Sequence, residues 1–238
     1  MKPALLLLPN LLSEEIRHHE VYLPASVDKA VATIDGLIAE SESGGRRYLG
    51  RFETKKPRNE TPIALLNVHT PDNDLDFLLE PIHKGERWGL ISDCGLPCLA
   101  DPGAKLVRRA RETGIIIQTF VGPSSILMAL MLSGLSGQKF FFHGYLDKNI
   151  EKRQRETTWM ERASKKDGST QIFIEAPYRN KSTLDILLNT LEEDTSLCVA
   201  WDLTMPTQGI VSQTVNLWRK SPLPNIEKKA AIFLLNAN

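Results

Sequence analysis

A strand, a loop of small residues and the start of a helix follow one another in Trp88-Gly-Leu-Ile-Ser-Asp-Cys-Gly-Leu-Pro-Cys-Leu-Ala-Asp-Pro-Gly103. The apolar run Trp88–Ser92 is typical of a short buried strand. Asp101 is a favourable helix cap and a proline follows it, so we predict a helix from Pro102 to Glu112. Gly114 ends this helix, as glycine often does. The order strand, loop, helix is the repeating unit of an α/β fold.

The same unit recurs further along the chain. Further strands are predicted at Ala4–Leu8, Ile115–Val121, Gln171–Glu175, Cys198–Leu203 and Ala230–Leu235, and further helices at Ile126–Leu132 and Ser182–Leu191. The charged stretch from Asp147 to Gly168 is also predicted to be helical. Strands that alternate with helices indicate mainly parallel sheets. We predict two α/β domains, residues 1–120 and 121–238.

Polar loops rich in glycine and proline follow three of the predicted strands. They are Asp93–Gly103, Gly122–Ser125 and Ala176–Arg179. Ligands of open α/β sheets bind beyond the carboxyl ends of the strands, so these loops are the predicted site. The alternative is that all three are ordinary turns.

The composition is ordinary for a soluble globular protein. The 238 residues are 42% hydrophobic and 24% charged, and the formal net charge is zero. Three cysteines, Cys94, Cys98 and Cys198, are too few for a disulfide framework and predict a reducing compartment. Because no second ligand pair follows Cys94 and Cys98, we expect no metal site. No secretory segment or membrane span is evident, so the predicted location is the cytoplasm and no membrane partner is expected.

Several common catalytic motifs do not occur in this sequence. It contains no G-x-G-x-x-G, no G-x-x-x-x-G-K-[ST] and no G-x-S-x-G. Phosphate-cradling nucleotide hydrolysis and α/β-hydrolase chemistry therefore lack their sequence marks.

The stretch from Leu90 to Gly103 resembles the S-D-A-G-T-P-x-x-S-D-P-G loop of the ribosomal small-subunit methyltransferase I family, in the tetrapyrrole methylase superfamily. The similarity continues through Lys105–Gly114, Val121–Ser125 and Phe141–Leu146. Ile174-Glu-Ala-Pro-Tyr-Arg179 is similar to the family's Y-E-A-P-H-R. This resemblance implies two α/β domains, S-adenosylmethionine bound in the cleft between them, and a homodimer that methylates a ribose 2′-hydroxyl of ribosomal RNA.

The resemblance also implies which residues bind the cofactor, largely through backbone groups. These residues are Leu8, Pro9, Asp93, Gly95, Leu96, Pro97, Ser124, Ser125, Tyr178 and Ala230. Glycine and proline fit this expectation, because they allow the backbone to approach a ligand closely. A ribose hydroxyl is a weak nucleophile that benefits from a base. Glu40 and Glu175 match family positions and are the predicted catalytic residues. For Glu175 the alternative is a structural carboxylate bonded to loop amides or to Arg179.

The sequence departs from the family on the expected substrate side. The family's P-T-P-I-G-N appears as Leu8-Pro-Asn-Leu-Leu-Ser13, and its A-E-D-T-R as Ala39-Glu-Ser-Glu-Ser43. In the stretch that matches E-L-T-K-x-x-E, Met205 replaces the lysine and Gln208 the second glutamate. The methyl donor is therefore expected to be kept, whereas the acceptor can have changed.

Three functions remain open at this point: methylation of ribosomal RNA, methylation of a tetrapyrrole-like small molecule, and a non-catalytic module that binds S-adenosylmethionine. Two basic clusters favour RNA, because phosphate neutralisation needs such clusters. The first contains Arg46, Arg47, Arg51, Lys55, Lys56 and Arg58, and the second contains Lys148, Lys152, Arg153, Arg155, Arg162, Lys165 and Lys166. The second also contains glutamates, so its alternative is an ordinary solvated helix face.

Overall fold

A computed structural model describes residues 1–16 and 18–237. The chain divides into two units, Met1–Ser124 and Ser125–Asn238. The domain boundary predicted after residue 120 lies just before this division. Each unit contains one five-stranded sheet with helices packed on it.

The first unit is built on a fully parallel sheet. Its strands are β1 (Ala4–Leu7), β2 (Gly36–Ala39), β3 (Ile63–Leu65), β4 (Arg87–Leu90) and β5 (Ile117–Thr119). Their order across the sheet is β3-β2-β4-β1-β5, and every pairing is parallel. The helices are α1 (Ala25–Val31), α2 (Glu42–Leu49), α3 (Leu75–His83) and α4 (Gly103–Glu112), with short 3-10 turns at His19–Val21 and Asp72–Asp74.

Helices cover both faces of this sheet. Neighbouring residues of a strand point to opposite sides, so each strand contributes side chains to both faces. Leu6 and Leu37 pack with residues of α1 and α2 in one cluster. Leu5 and Ile38 pack with residues of α3 and α4 in the other. A parallel sheet covered on both faces has near-continuous apolar strands, which explains the run Ala4–Leu8.

The second unit differs from the prediction of mainly parallel pairing. Its strands are β6 (Phe140–Tyr145), β7 (Thr170–Glu175), β8 (Ser196–Trp201), β9 (Gly209–Thr214) and β10 (Ala231–Asn236), in the order β6-β7-β10-β8-β9. Only β6 and β7 are parallel, whereas β7–β10, β10–β8 and β8–β9 are antiparallel. For β8 and β9 the reason is local, because the short connection from Asp202 to Gln208 can join only antiparallel neighbours. The α/β class is confirmed, with one parallel and one mixed sheet.

The helices of the second unit are α5 (Ser125–Ser133), α6 (Ile150–Asp167), α7 (Asn180–Thr190) and α8 (Val215–Lys220), with a 3-10 turn at Pro177–Arg179. The predicted charged helix corresponds to α6. The Asn149 side chain accepts from the amide of Lys152 at its start, and Gly168 adopts φ +69° at its end. Among the residues that the structure describes, no helix is long and apolar enough to cross a membrane.

Candidate functional site

The first unit brings four loops to one edge of its sheet. Residues 8–13 follow β1, Glu40 and Ser41 follow β2, residues 91–102 follow β4, and residues 120–124 follow β5. The strands β2 and β4 are neighbours, but their following connections lead to opposite sides of the sheet. In open α/β sheets such a switch point is where ligands bind.

Asn10 connects the first loop to the loop after β4. Its side-chain amide donates to the carbonyl oxygens of Ser92 at 3.0 Å and Asp93 at 2.9 Å. Its backbone amide donates to the carbonyl of Gly95 at 2.7 Å, and the Gly95 amide donates to the carbonyl of Leu11 at 3.2 Å. Asn10 is only 6% exposed. The two loops therefore form one structural element, although the first loop lacks the glycine of the family pattern.

Glu40 spans the switch point between β2 and β4. Its Oε1 accepts a hydrogen bond from the Ser92 hydroxyl at 3.2 Å and another from the Asp93 amide at 3.1 Å. The carboxylate that was predicted to be catalytic thus holds the start of the loop after β4.

Asp93 is the exposed acidic side chain of this edge. Partial burial raises its pKa above the ordinary value, and the nearby carboxylate of Glu40 raises it further, while Arg47 opposes the shift. A Cβ atom added at Gly44, in the first turn of α2, would lie 2.8 Å from Asp93 Oδ1. Gly44 therefore leaves room for this carboxylate, and the motif on α2 and the loop after β4 fit each other.

Asp101 organises the end of the same loop. It was predicted as the cap of α4, whose N-cap in the structure is Pro102. Asp101 nevertheless accepts hydrogen bonds from the amides of Gly103 at 2.7 Å and Cys98 at 2.8 Å. Cys98 and Ala100 have φ of +71° and +61°. Non-glycine residues rarely adopt this conformation, and such strained positions cluster at functional sites.

The loop after β5 packs directly against the loop after β1. A Cβ atom at Gly122 would lie 2.1 Å from Cβ of Pro9 and 3.4 Å from Cδ2 of Leu96. Only glycine permits this approach. The structure thus brings together seven predicted residues within the first unit. Asp93 is exposed and Leu96 is partly buried, whereas the others are buried: Leu8, Pro9, Gly95, Pro97 and Ser124.

A small cavity of about 10 Å³ opens beside these loops. It is lined by Asn10, Leu11, Ser13, Glu14, Gly44, Arg47, Arg51 and Asp93. This volume holds about one water molecule. Its polar lining comes from three different elements of the first unit.

In the second unit, Glu175 lies at the centre of a buried ionic network. Its side chain is fully buried and forms ion pairs with Arg179 and, at 3.9 Å, with Arg153. It also accepts from the Ala176 amide at 2.8 Å and the Thr183 hydroxyl at 2.9 Å. Both carboxylate oxygens therefore have protein donors. These contacts match the structural alternative considered for Glu175, and its catalytic role stays a prediction.

Some nitrogen atoms of the Arg179 guanidinium take no part in this network. Within the described part of the chain, its Nε and one of its terminal nitrogens are buried without a hydrogen-bond partner. Tyr178, predicted to contact the cofactor, is 77% exposed, and the Arg179 guanidinium lies 5.9 Å from its ring centre. The exposed group of this segment is therefore the Tyr178 ring, whereas the Arg179 guanidinium is largely buried against Glu175.

The remaining predicted residues of the second unit lie at the ends of elements. Ser125 is the first residue of α5, and Ala230 precedes β10. The Ala230 carbonyl accepts from the Asp202 amide at 3.0 Å. Asp202 begins the divergent stretch up to Gln208, has φ +49°, and is paired with Lys229 at 2.6 Å. Sequence reasoning missed Lys229 and Asn10. The pairing of Lys229 with Asp202 and the bonds of Asn10 to the loop after β4 join distant positions, so local spacing does not predict them.

Several arginines of the two basic clusters are bonded to other groups of the protein. Arg46 donates to the carbonyl of Thr61 at 2.6 Å, Arg51 to Asn10 Oδ1 at 3.0 Å, and Arg47 to Glu14. In the second cluster Arg153 is only 2% exposed, so it belongs to the core network and not to a solvated face. Among the residues described, no group of three His, Cys, Asp or Glu side chains could hold a metal ion.

Comparison with known proteins identifies related chains. Residues 24–217 match the family model of tetrapyrrole (corrin/porphyrin) methylases. The chain is 29% identical over 184 residues to ribosomal RNA small subunit methyltransferase I of Bacillus subtilis, covering 77% of this chain and 60% of the relative. The Thermotoga maritima protein of that name is 28% identical over 203 residues, covering 83% of this chain and 86% of the relative. These matches confirm the resemblance inferred from the motifs.

Solved structures share the fold. The methyltransferase CobJ superposes with a TM-score of 0.65 at 17% identity, over 98% of this chain and 94% of that chain. Uroporphyrin-III-C-methyltransferase from Thermus thermophilus superposes with a TM-score of 0.57 at 12% identity, over 99% of this chain and 94% of that chain. At these identities the likeness concerns the fold alone.

Proposed function

Because this chain belongs to the tetrapyrrole methylase family, we propose that it transfers a methyl group from S-adenosylmethionine to a ribose 2′-hydroxyl of ribosomal RNA. The observation that carries the proposal is the joined set of loops at the carboxyl edge of the parallel sheet, where Asn10 and Glu40 hold the loop that contains Asp93. The names of the relatives support RNA as the acceptor, although the chain spans only about three-fifths of the Bacillus subtilis relative.

The residues at this edge fit a cofactor that is bound mainly by backbone groups. Gly122 and Gly95 allow close approach of the chain, and Asp93 supplies an exposed carboxylate. For Ser125, Tyr178 and Ala230 of the second unit, cofactor contact stays a prediction from the family resemblance. When bound, S-adenosylmethionine supplies an activated methyl group, so the protein needs only to hold and align the acceptor.

The contacts of the two glutamates support positioning roles beside the proposed catalytic ones. Glu40 fixes the Asp93 amide and the Ser92 hydroxyl, which keeps the loop after β4 in place. Glu175 fixes Arg153 and Arg179, which keeps the loop after β7 in place. A group that aligns a site to within a fraction of an ångström can change the rate strongly without touching the reacting atoms.

The proposal includes a cytoplasmic homodimer. The low and odd number of cysteines supports the location. The family supports the dimer, which analytical ultracentrifugation tests directly.

Isothermal titration with S-adenosylmethionine and S-adenosylhomocysteine tests the cofactor site. We expect micromolar binding that is lost in Asp93→Asn and Ser124→Ala and retained in the matched controls Asp76→Asn and Ser221→Ala. Absence of binding to either compound would contradict the proposed cofactor and leave a module without this function.

Transfer of a labelled methyl group then tests the acceptor. We expect incorporation into small-subunit ribosomal RNA and none into a tetrapyrrole substrate. Incorporation into the tetrapyrrole alone would overturn the RNA assignment while keeping the methyltransferase.

A further inference from the structure

The outer face of α6 carries a regular stripe of aromatic and basic side chains. Arg155, Trp159, Arg162 and Lys166 recur at spacings of four, three and four residues, which places them on one side of a helix. The opposite side is buried and includes Thr157, Met160 and Ser164. Trp159 is 60% exposed, whereas Trp88 and Trp218 belong to the core. The Trp159 indole therefore lies on the solvent side of a charged helix.

Trp159 is held in place without being buried. Its ring forms a T-shaped contact with His143, with a centroid distance of 5.8 Å and an interplanar angle of 89°. His143 is in turn hydrogen-bonded to Gln171 at 2.7 Å, and Gln171 donates to Ser169 at 2.6 Å. This chain of contacts orders the indole, so a flat ligand stacking on it loses little further side-chain entropy.

The charges around the indole are positive and accessible. Arg155 pairs with Glu151 at 3.7 Å, but both side chains are more than three-quarters exposed, so the pair is weak. Together with Gln154, Thr158 and Arg162, these residues and Trp159 line a shallow groove of about 520 Å³. Volumes of this order accommodate a small organic ligand. On the neighbouring edge strand β6, Phe141 is also exposed and has the Lys139 ammonium 5.9 Å from its ring centre.

We propose that the stripe Arg155, Trp159, Arg162 and Lys166 is a binding site for single-stranded RNA, separate from the loops of the methyl-transfer site. A base stacks on Trp159, and the basic side chains on either side contact the backbone phosphates. The inference rests on the proposed function, since it identifies a second contact with the same class of acceptor. An acidic peptide would satisfy the arginines, but it would leave the ordered and exposed indole without a role.

Titration of the protein with a single-stranded 12-nucleotide RNA of mixed sequence tests the site, using intrinsic tryptophan fluorescence for the wild type and a fluorescently labelled RNA for every variant. We expect quenching in the wild type and binding about tenfold weaker in Trp159→Ala, with most of the loss restored in Trp159→Phe, because stacking on a phenyl ring replaces much of the indole contact. The double variant Arg155→Ala/Arg162→Ala removes two phosphate contacts. It should make the negative slope of log affinity against log salt less steep by about 1.4. The matched control Arg108→Ala/Arg111→Ala on α4 removes the same charge. It should leave both the RNA affinity and its dependence on salt unchanged.

The outcomes separate this inference from the proposed function. If the wild type binds RNA and transfers methyl groups but the Trp159 and Arg155/Arg162 variants bind as it does, the stripe is not the site and the function stands. If polyglutamate displaces the RNA from the stripe as effectively as unlabelled RNA does, the RNA assignment is overturned in favour of an acidic partner. If the wild type transfers no methyl group yet the variants weaken RNA binding as expected, the stripe stands and the proposed function fails.

Discussion

The Asn10 side chain donates a hydrogen bond to the carbonyl oxygen of Asp93 at 2.9 Å, across 83 positions of sequence. Asn10 stands in a first loop that has lost the glycine of the family pattern. Together with the backbone hydrogen bonds that join Asn10 and Leu11 to Gly95, this contact holds the altered loop and the loop after β4 together.

Replacing Asn10 tests whether this contact maintains the site. In Asn10→Ala two carbonyl oxygens and the Leu11 amide lose their partner in a buried place. We expect a loss of about 1–3 kcal/mol in the free energy of unfolding, measured with urea, and weaker binding of S-adenosylmethionine by titration. Asn59→Ala is the control, since Asn59 is exposed. Equal effects of both substitutions would show that the Asn10 hydrogen bonds do not maintain the site.

The packing of Gly122 against Pro9 gives a second test. In Gly122→Ala the new methyl group would lie 2.1 Å from Pro9 Cβ, so one loop must move. We expect destabilisation of about 1–3 kcal/mol, as in other overpacked sites, and reduced cofactor binding. Gly137→Ala is the matched control, because its added Cβ meets only Leu130 at 4.0 Å. A Gly122→Ala protein as stable as the control would contradict the contact.

The pKa of Asp93 predicts how stability changes with pH. Burial and the Glu40 carboxylate raise this pKa above 3.8, so the folded state holds the proton more tightly than the unfolded chain. Its stabilising contribution is present below the unfolded value and is lost as pH rises through the folded value. Asp93→Asn should therefore raise Tm slightly at pH 7, and the gain should disappear near pH 3.

Asp76 is the control, because its pKa is shifted in the opposite direction to that of Asp93. Its hydrogen-bonded ion pair with Arg109 lowers its pKa, so ionised Asp76 favours the folded state at neutral pH. Asp76→Asn should leave Tm at pH 7 unchanged or slightly lower, because this exposed pair is weak. Thermal melts between pH 3 and pH 8 measure both variants. A lower Tm for Asp93→Asn at pH 7 would refute the assignment.

The buried network around Glu175 distinguishes a structural carboxylate from a catalytic one. Glu175→Gln leaves Arg153 and Arg179 buried without a counter-charge. We expect a loss of about 3–5 kcal/mol in the free energy of unfolding. By contrast, Glu193→Gln breaks a more exposed pair with Arg219 and should cost about 1 kcal/mol or less.

Kinetics complete the Glu175 test. If Glu175 only positions the loop, the loss of methyl transfer should follow the loss of stability, and cofactor binding should weaken with it. A fall in kcat at unchanged stability and unchanged cofactor affinity would instead establish Glu175 as a catalytic residue.

The sequence by itself determined the α/β class, the strand and loop around Trp88–Gly103, and the charged helix α6. These features follow from local signals: buried apolar runs, capping residues and terminal glycines such as Gly168. The family motifs also identified the loops that the first unit brings together. Short or half-exposed elements were missed, including β6 and β9, because their apolar periodicity is weak.

The tertiary structure alone decided the partners of the charged and polar side chains. The sequence does not show that Glu175 lies between two arginines, that Arg153 is buried on a helix of mixed charge, or that Asn10 reaches Asp93. It also does not show that β10 lies antiparallel between β7 and β8. These outcomes depend on which distant segments meet in the core, whereas spacing along the chain fixes only the face of an element on which a residue lies.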